Sequence, residues 1–447
     1  MDANTILAID IGAQQVRAAV AERGENGELH ILGTGTANTD GFANGCVNNM
    51  ERLRNSIRKA ILELEKNWKE DIDPSKMPIY YSISGKDVFY QNIETEMRHI
   101  SNINPETKIG NVTKEDIDWL KKALEASRIS DDSKKIAVIP QCYQVNKNCG
   151  IENPIGLNGQ EIKAAGLLIT DSKSHIADLE RAINTALSDD DFEYEKLELI
   201  PVAASIASAM AVLSKEEKES GVAILDIGKG CCDLAVFYNE YPILVWSREF
   251  AGEFITKEIK NVLAISLDEA EKIKVKFACA TPKRAGQKET ISISNEEQLP
   301  LEQLAQWVYQ PLKYLFENAK NALNSNFYGS NFNQIISQMG VVLTGGGANL
   351  KEITFVAQEV LELPVKRGKP NAMKISGAAG MDEDMSFATL LGLCIYGTQN
   401  YHFKETSAGK KKKKRTAAKP KSGEGLGGSI KNFLKDFGET IKNIKIS

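Results

Sequence analysis

Long apolar runs are absent from this sequence of 447 residues. No stretch approaches the roughly 20 apolar residues that a bilayer-spanning helix needs. The first residues, MDANTILAIDIG, lack the basic start and apolar stretch of a secretory signal. The seven cysteines are scattered and form no C-x-x-C pair, as expected of free thiols in a reduced compartment. We therefore expect a cytoplasmic chain that neither spans a membrane nor is secreted.

Histidine is scarce. The four histidines, His30, His99, His175 and His402, stand far apart in the sequence and near no cluster of Cys, Asp or Glu. This spacing disfavours both a metal site and a histidine base. We expect surface histidines, or histidines whose hydrogen bonds are satisfied by neighbours.

Positive charge is concentrated at one end of the chain. Residues 404–447 hold 13 Lys and Arg against 4 Asp and Glu, which leaves 42 against 56 in the first 403 residues. An acidic body with a basic tail argues against nucleic-acid binding by the whole protein and predicts an anionic partner that meets only the tail. Membrane headgroups and nucleic acid both fit that description.

Two segments resemble each other: TILAIDIGAQQVRAAVAE at 5–22 and SGVAILDIGKGCCDLAVFYN at 220–239, with Asp10 aligned to Asp226. Each is an apolar run ending in Asp-Ile-Gly, followed by a short turn and a second alternating run, which predicts a β-hairpin. The repetition indicates two homologous halves.

Helical patterns separate the two hairpins. Apolar spacing predicts one helix over 49–67 and an Ala-rich helix over 200–213. Strands and helices therefore alternate, which indicates an α/β fold. The stretch 84–166 differs, with a helix near 114–127 among short strands such as 135–140, and we interpret it as an inserted α+β subdomain.

The Asp-Ile-Gly turns suit nucleotide chemistry. A carboxylate that ends a strand can hold Mg²⁺ through water, and glycines such as Gly12 and Gly228 let backbone N–H groups approach phosphate oxygens. Asp10 and Asp226 are then expected to face each other across a cleft. A single such turn is a weak signal, and the duplication strengthens it.

Two further segments fit the same ligand. At 341–353 an apolar strand meets three glycines and then a helix, whose N-terminus can face an anionic or planar ligand. The same pattern also fits an ordinary tight turn. At 268–278 a helix places Glu271 and Lys274 on one face, where they can bind a ribose and a base or form an exposed ion pair.

In this order the motifs resemble the actin, Hsp70 and sugar-kinase superfamily. Within it, ISGKDVFYQN at 83–92, the run at 139–170 and FAGEFITKEI at 250–259 resemble the FtsA family of bacterial division proteins, and the likeness covers nearly the whole chain. The resemblance implies a two-lobed actin-like fold with an inserted subdomain named 1C. Its implied boundaries are lobe 1A at 1–83, 167–200 and about 375–403; 1C at 84–166; lobe 2A at 201–257 and about 330–374; and lobe 2B at 258–329.

The resemblance also implies a site for ATP and Mg²⁺. Asp10 and Asp226 would hold the metal. The phosphate, ribose, base and adenosine positions carried over from the family are Asp10, Gly12, Asp226, Gly228, Lys229, Gly230, Gly252, Glu271, Lys274, Gly345, Gly346 and Gly347.

The chain departs from the family pattern in both phosphate turns, at Lys229 and at Ile200. The family has hydroxyl residues in both phosphate turns, whereas this chain has Ala13–Gln15 in the first turn and Cys231–Cys232 in the second. Lys229 replaces a glycine, and we expect its ammonium group to bind the nucleotide. Ile200 replaces the family's glutamate, which orients the attacking water, and Glu198 is the nearest substitute. We expect ATP binding with slow or absent hydrolysis.

The end of the chain predicts an interfacial helix. After a linker at 404–428 that cannot form a core, residues 429–447 place six apolar side chains on one stripe and mostly basic residues on the other faces. These apolar residues are Ile430, Phe433, Leu434, Phe437, Ile441 and Ile444. Docking on the body is the alternative, and the long linker disfavours it.

The resemblance to the FtsA family implies a division protein that polymerises like actin and anchors the ring protein FtsZ to the inner face of the cell membrane. Lobe 2B would bind FtsZ, 1C other division proteins, and no nucleic acid is expected. A small-molecule kinase and a pilus-assembly platform of the same superfamily are the alternatives. Ile200 and the tail argue against the kinase, and the tail against the platform.

The tail helix can be tested with two variants that fail differently. Phe433→Glu places a charge in the apolar stripe, so it should abolish vesicle binding on every lipid. Neutralising Lys410 to Lys414 should weaken binding only on anionic vesicles at low salt, where those charges are unscreened. Co-sedimentation with vesicles measures both, and wild-type binding by both variants would contradict membrane tethering.

Overall fold

The computed structural model describes residues 5–24, 27–188, 197–286, 289–293, 298–327, 330–371 and 375–405. None of the helices within these ranges is long and apolar enough to cross a membrane. Lys404 and Glu405, the first two residues of the predicted linker, belong to the last described helix. The rest of the linker and the predicted tail helix, including Ile430, Phe433, Leu434, Phe437, Ile441 and Ile444, lie outside the described residues.

The first part of the chain forms a meander and a covering helix. Its elements are β1 (Thr5–Ile11), β2 (Gln15–Arg23), β3 (Leu29–Asn38), β4 (Phe42–Ala43), β5 (Cys46–Val47), α1 (Met50–Trp68) and β6 (Ile79–Ile83).

The next part contains a second, antiparallel sheet. Its elements are β7 (Phe89–Glu94), β8 (Arg98–His99), β9 (Gly110–Asn111), α2 (Lys114–Glu125), β10 (Ser133–Val145), β11 (Asn148–Ile151), β12 (Asn158–Gly159), β13 (Glu161–Ser172) and α3 (Lys173–Leu187).

The remaining described residues repeat the first design and add a helical region. Their elements are β14 (Leu199–Ala203), α4 (Ala204–Val212), α5 (Lys215–Ser220), β15 (Val222–Ile227), β16 (Cys232–Tyr238), β17 (Tyr241–Arg248), α6 (Gly252–Leu263), α7 (Leu267–Phe277), β18 (Thr290–Ser292), β19 (Gln298–Pro300), α8 (Leu301–Leu323), β20 (Asn326–Phe327), β21 (Ser330–Asn331), α9 (Phe332–Ile335), β22 (Val341–Thr344), α10 (Ile353–Leu361), β23 (Val365–Arg367), β24 (Ile375–Ser376) and α11 (Ala388–Glu405).

The two large sheets share one topology. The first has the order β14-β6-β1-β2-β3-β24 and the second β17-β16-β15-β22-β23. In each, an antiparallel three-strand meander is extended by parallel strands beside its first strand. The strands β1 and β15 are buried along their whole length, as strands covered on both faces must be. The predicted duplication and α/β class are therefore confirmed.

The insert forms its own small core. Its antiparallel sheet has the order β11-β10-β13-β7, and β8 also pairs with β13. The helix α2 has a capping box between Thr113 and Asp116, and its Leu120 and Leu124 pack with Ile162 of β13. This is an α+β unit, as the sequence predicts.

Helix α1 follows directly from its sequence. Asn49 caps it by accepting a hydrogen bond from Arg52 N, and Lys69 ends it in a left-handed conformation. Its apolar face, with Leu53 and Leu64 fully buried, packs on the first sheet. At Gly35 of β3 a Cβ atom would lie 2.0 Å from the Ala60 carbonyl oxygen, so only glycine permits this contact.

The predicted helix over 200–213 begins later than expected. Residues 199–203 form β14, which runs parallel to β6, and α4 begins at Ala204. Residues 199–203 form a strand instead of a helical turn because Ile200 and Val202 complete the edge of the sheet and pack on its core. Helix α11 crosses α4 so closely that a Cβ on Gly392 would lie 1.8 Å from the Ala207 carbonyl oxygen.

Candidate functional site

One cavity of about 720 Å³ lies between the two large sheets. Its walls are the turns of both duplicated hairpins, the first turns of α6, the face of α7 and the loop after β22. All twelve residues predicted as nucleotide contacts line it: Asp10, Gly12, Asp226, Gly228, Lys229, Gly230, Gly252, Glu271, Lys274, Gly345, Gly346 and Gly347. The fold therefore brings together residues that are up to 337 positions apart in the chain.

Asp10 is buried beneath the first turn and has two partners. Ser82 Oγ donates to its Oδ1 at 2.9 Å, and Arg17 Nη1 lies 3.7 Å from its Oδ2. Burial raises the pKa of Asp10, while the positive charge of Arg17 opposes the rise. Ser82 also accepts a hydrogen bond from Ile11 N at 3.0 Å, so it ties β6 to the end of β1.

Asp226 occupies the same place in the second hairpin. The hydroxyls of Ser208 on α4 and Thr389 on α11 donate to its Oδ2, the latter at 3.0 Å. Burial raises the pKa of Asp226 to about 6, the two hydroxyls oppose the rise, and the charge of Asp10 adds to it. The two predicted metal-binding carboxylates are thus close enough to interact.

The sequence comparison of the hairpins missed the residues opposite these carboxylates. Arg17 is the strand partner of Asp10, and Asp233 is the strand partner of Asp226. Both line the cavity. Burial raises the pKa of Asp233 well above its usual range, and the charges of Asp226 and Asp10 add to the rise. The alignment of the two hairpins could have identified both residues, because Arg17 aligns with Asp233 when Asp10 is aligned with Asp226.

Arg17 also connects the first hairpin to the segment before α11. Its Nη2 donates to Gln15 Oε1 at 2.9 Å and lies 3.4 Å from Ser386 Oγ. Its guanidinium group stacks over the Phe387 ring, 4.7 Å from the centroid. The buried Nε atom has no hydrogen-bond partner among the described residues. Arg17 therefore joins the first hairpin to the segment before α11 and contributes positive charge to the cavity wall.

For Glu271 and Lys274 the sequence predicted either ribose and base contacts or an exposed ion pair. The two residues form an ion pair, but the pair is mostly buried. The Lys274 Nζ atom lies 2.7 Å from Glu271 Oε2, and the side chains are only 12% and 23% exposed. Nζ also donates to Gly252 O at 3.0 Å and to Thr256 Oγ1 at 2.8 Å. Burial lowers the pKa of Lys274, against the charge of Glu271. Thr256 is a further residue that the sequence did not reveal.

The glycine loop after β22 differs from the expected strand–glycine–helix arrangement. Residues Gly346–Asn349 form a 3₁₀ turn, and α10 begins only at Ile353. Gly345 has φ +81°, and a Cβ there would lie 2.1 Å from Asp226 Oδ1. Glycine is therefore required where the loop passes the carboxylate. The helix N-terminus does not directly follow the glycines.

Neither Ile200 nor Glu198 lines the cavity. Ile200 lies in β14 and packs against the core of the first lobe. Glu198 is exposed, and its carbonyl accepts a hydrogen bond from Ile79 N as the sheet edge begins. Because Glu198 does not line the cavity, it does not replace the family's glutamate there.

The cavity fits a nucleotide with a magnesium ion. Its volume lies within the range of small-molecule sites. Arg17, Lys229 and Lys274 supply positive charge, and the glycine turns expose backbone. Among the described residues, no three His, Cys, Asp or Glu side chains form a cluster suited to a metal ion. Two carboxylates suit Mg²⁺, which retains water and binds phosphate oxygens instead of filling a protein cage.

Two family models match the chain. The model described as "Cell division protein FtsA" matches residues 223–392, and "SHS2 domain inserted in FTSA" matches residues 94–170. The chain is 30% identical over 431 residues to the cell division protein FtsA of Borreliella burgdorferi, covering 94% of this chain and 98% of that protein. Its identity to the FtsA of Escherichia coli K12 is 27% over 409 residues, with coverage of 90% and 92%.

Solved structures show the same fold. A PilM-PilN type IV pilus biogenesis complex matches with a TM-score of 0.54 and 17% identity, covering 88% of this chain and 98% of that chain. MreB 5 of Spiroplasma citri bound to AMPPNP matches with a TM-score of 0.51 and 12% identity, covering 91% and 100%. The predicted actin-like fold with an inserted α+β subdomain is thereby confirmed.

The raised pKa of Asp226 predicts a pH-dependent stability. The pKa of Asp226 is about 6 in the folded protein, whereas its ordinary value is 3.8. Between pH 3.8 and pH 6 the carboxyl group therefore takes up a proton when the protein folds. Its contribution to stability is complete below about pH 3.8 and is lost as the pH rises through 6, by roughly 3 kcal/mol at most. Asp226→Asn should therefore raise the melting temperature of the nucleotide-free protein at pH 7.5 but not at pH 4.

The exposed Asp118 on α2 supplies the control, and Asp118→Asn should leave the melting temperature unchanged at both pH values. An unchanged or lower melting temperature for Asp226→Asn at pH 7.5 would show that the buried carboxylate is not destabilising.

Proposed function

This chain belongs to the FtsA family of cell division proteins, and on that premise we propose that it is an ATP-binding, membrane-attached adaptor that polymerises and anchors FtsZ. The observation that carries the ATP part is the convergence of both duplicated hairpin turns, the glycine loop and the Glu271–Lys274 pair on one cavity. The actin-like fold and the family support a nucleotide-dependent role in division.

In this proposal each wall of the cavity binds a different part of the nucleotide or its metal ion. Asp10 and Asp226 bind Mg²⁺ through its water molecules, and the ion offsets part of the phosphate charge. Backbone N–H groups at Gly12 and Gly228 approach the phosphates. Glu271 accepts hydrogen bonds from the ribose hydroxyls, and Lys274 faces the base. Gly345–Gly347 lie against the adenosine.

Two cations take the place of the hydroxyl groups found in the family's phosphate turns. Lys229 lines the cavity from the second turn, and its positive charge helps to lower the pKa of Lys274. Arg17 lines the cavity from β2. Charged donors make stronger hydrogen bonds to phosphate than hydroxyl groups do, so binding should depend on salt concentration. Because neither Ile200 nor Glu198 reaches the cavity, we also propose slow hydrolysis.

A separate surface suits a peptide partner. Phe250, Phe254 and Tyr314 form an aromatic cluster with ring centroids 5.0 to 6.2 Å apart, in which Phe250 packs edge-to-face on both other rings. They line a pocket of about 390 Å³ between α6 and α8. Phe254 and Tyr314 are 40% and 44% exposed, and exposed aromatic clusters typically bind proteins. We assign this surface, at the edge of lobe 2B, to FtsZ.

Attachment to the membrane rests on the sequence of residues 429–447. The helix α11 runs from the cavity wall at Thr389 to Glu405, where the basic tail begins. On the insert, the exposed apolar side chains Ile109, Ile155 and Leu157 are the surface that we assign to other division proteins. The pilus-assembly alternative is supported by fold alone, whereas sequence relatives over the whole chain are division proteins.

The nucleotide proposal predicts that ATP with Mg²⁺ raises the melting temperature of the wild type, since a ligand that binds only the folded state stabilises it. Asp226→Asn should fold yet lose this shift. Lys229→Met should weaken ATP binding about tenfold, the loss of one charged hydrogen bond. Lys257→Met, at an exposed position on α6, should bind normally.

Calorimetry gives the affinities, and phosphate release in the same samples gives the turnover. A full ATP-dependent shift in Asp226→Asn would refute the site. Turnover on the order of 1 s⁻¹, as in ordinary enzymes, would contradict slow hydrolysis.

The FtsZ surface predicts that Phe254→Ser weakens binding of a fluorescent FtsZ tail peptide by about tenfold or more, as removal of a central aromatic contact does. Leu62→Ser, at an equally exposed leucine on α1, is the matched control. Fluorescence anisotropy measures both affinities. Equal affinities for the two variants would place the FtsZ site elsewhere.

A further inference from the structure

A buried threonine lies between the Glu271–Lys274 pair of α7 and the start of α6. Thr256, one turn into α6, is 1% exposed. Its Oγ1 atom lies 3.0 Å from Gly252 O and 2.5 Å from Glu271 Oε2. Lys274 Nζ donates to the same oxygen at 2.8 Å. One hydroxyl group therefore has three partners, two of which belong to the ion pair.

The single hydrogen of this hydroxyl points to Glu271. A hydroxyl group donates one hydrogen and accepts through its lone pairs. Lys274 can only donate, so the hydrogen must go either to Gly252 O or to the carboxylate of Glu271. The carboxylate is nearer, and hydroxyl groups make shorter and stronger hydrogen bonds to a carboxylate than to a neutral carbonyl. Thr256 therefore donates to Oε2 of Glu271.

The ammonium group of Lys274 binds the same carboxylate oxygen. It lies 2.7 Å from Glu271 Oε2, and it also donates to Thr256 Oγ1 and to Gly252 O. An ammonium group has three N–H donors, and here each has one acceptor. Thr256 and Lys274 thus hold Glu271 from two directions through one oxygen, Oε2. Glu271 lines the cavity, so this network fixes a carboxylate in the cavity wall.

The second phosphate turn is bound to α6 by backbone hydrogen bonds in which the Thr256 hydroxyl takes no part. Gly252 N donates to Gly228 O at 3.1 Å, and Glu253 N donates to Lys229 O at 2.7 Å. Removal of the hydroxyl leaves both of these bonds in place. Its loss should therefore act on the carboxylate of Glu271 and leave the phosphate turn intact.

A threonine inside a helix often returns its hydroxyl to the carbonyl four residues earlier. Thr398 on α11 does this: it is 3% exposed, and its Oγ1 donates to Cys394 O at 2.8 Å. Thr256 differs because its hydroxyl also joins a carboxylate and an ammonium group. Thr398 is therefore a control that matches Thr256 in burial and in its contact with the helix backbone.

We propose that Thr256 is a positioning residue for ribose recognition: together with Lys274 it fixes Oε2 of Glu271, so that Oε1 accepts a hydrogen bond from a ribose hydroxyl. The proposal rests on the proposed nucleotide function and deepens it, because it assigns to the cavity a preference for ribonucleotides over deoxyribonucleotides. A carboxylate that is already held in place does not have to be ordered when the ligand binds, and this lowers the cost of binding.

The test measures affinities for ATP, 2′-deoxy-ATP and 3′-deoxy-ATP with Mg²⁺ by calorimetry in full-length proteins. The wild type should bind ATP about tenfold more tightly than the analogue that lacks the recognised hydroxyl, as for one hydrogen bond to a charged group. Thr256→Val keeps the side-chain volume but loses the hydroxyl. It should reduce the preference to about twofold, since a typical hydrogen bond contributes a factor of about five. Thr256→Ser, which keeps the hydroxyl, should retain the preference.

Further variants separate the ribose contact from other effects. Thr256→Val should weaken ATP and leave the affinity for the analogue unchanged, whereas Lys229→Met should weaken ATP and both analogues alike. Glu271→Ala should lose the preference, and addition of Thr256→Val to it should cause no further loss, because both changes act on one contact. Thr398→Val should follow the wild type.

Melting temperatures without nucleotide identify any variant that fails to fold, and Thr256→Ala then replaces Thr256→Val with the same expectation. The inference alone is overturned by a wild type that binds ATP and both analogues equally. It is also overturned by an unchanged preference in Thr256→Val, by equal weakening of all three nucleotides in that variant, or by loss of the preference in Thr256→Ser. Absence of ATP binding by the wild type overturns the proposed function as well.

Discussion

Burial of two like-charged carboxylates at the centre of the molecule is the constraint on which the rest of the structure depends. Asp10 and Asp226 end the central strands of the two sheets and raise each other's cost of ionisation. An uncompensated buried charge is expensive. The fold compensates with hydrogen-bond donors drawn from distant parts of the chain, namely Ser82, Ser208 and Thr389.

These donors determine the packing of the elements that carry them. Ser208 and Thr389 can reach one carboxylate oxygen only if α4 and α11 lie side by side, and their hydroxyls are 3.1 Å apart. The close crossing at Gly392 permits this approach. Helix α11 leads from this contact to Glu405, at the start of the basic tail.

The two halves are duplicated in backbone but not in charge. The residue opposite the carboxylate is Arg17 in one hairpin and Asp233 in the other. The first half therefore presents a cation toward the cavity, whereas the second adds a carboxyl group whose pKa is raised well above its usual range by burial. Lys229 restores positive charge to the second turn. The asymmetry therefore places a cation from each half in the cavity wall beside the two carboxylates.

The sequence by itself determined the elements that depend on local pattern: the paired hairpins from their alternation, and α1 and α2 from their apolar spacing. The twelve cavity residues were carried over from the resemblance to the FtsA family. The sequence did not determine where α4 begins, because pairing of residues 199–203 with β6 outweighs their helical spacing. It also missed Arg17, Asp233 and Thr256. Their roles depend on strand register and on contacts between distant segments. Only the tertiary structure determines which of these side chains are buried together.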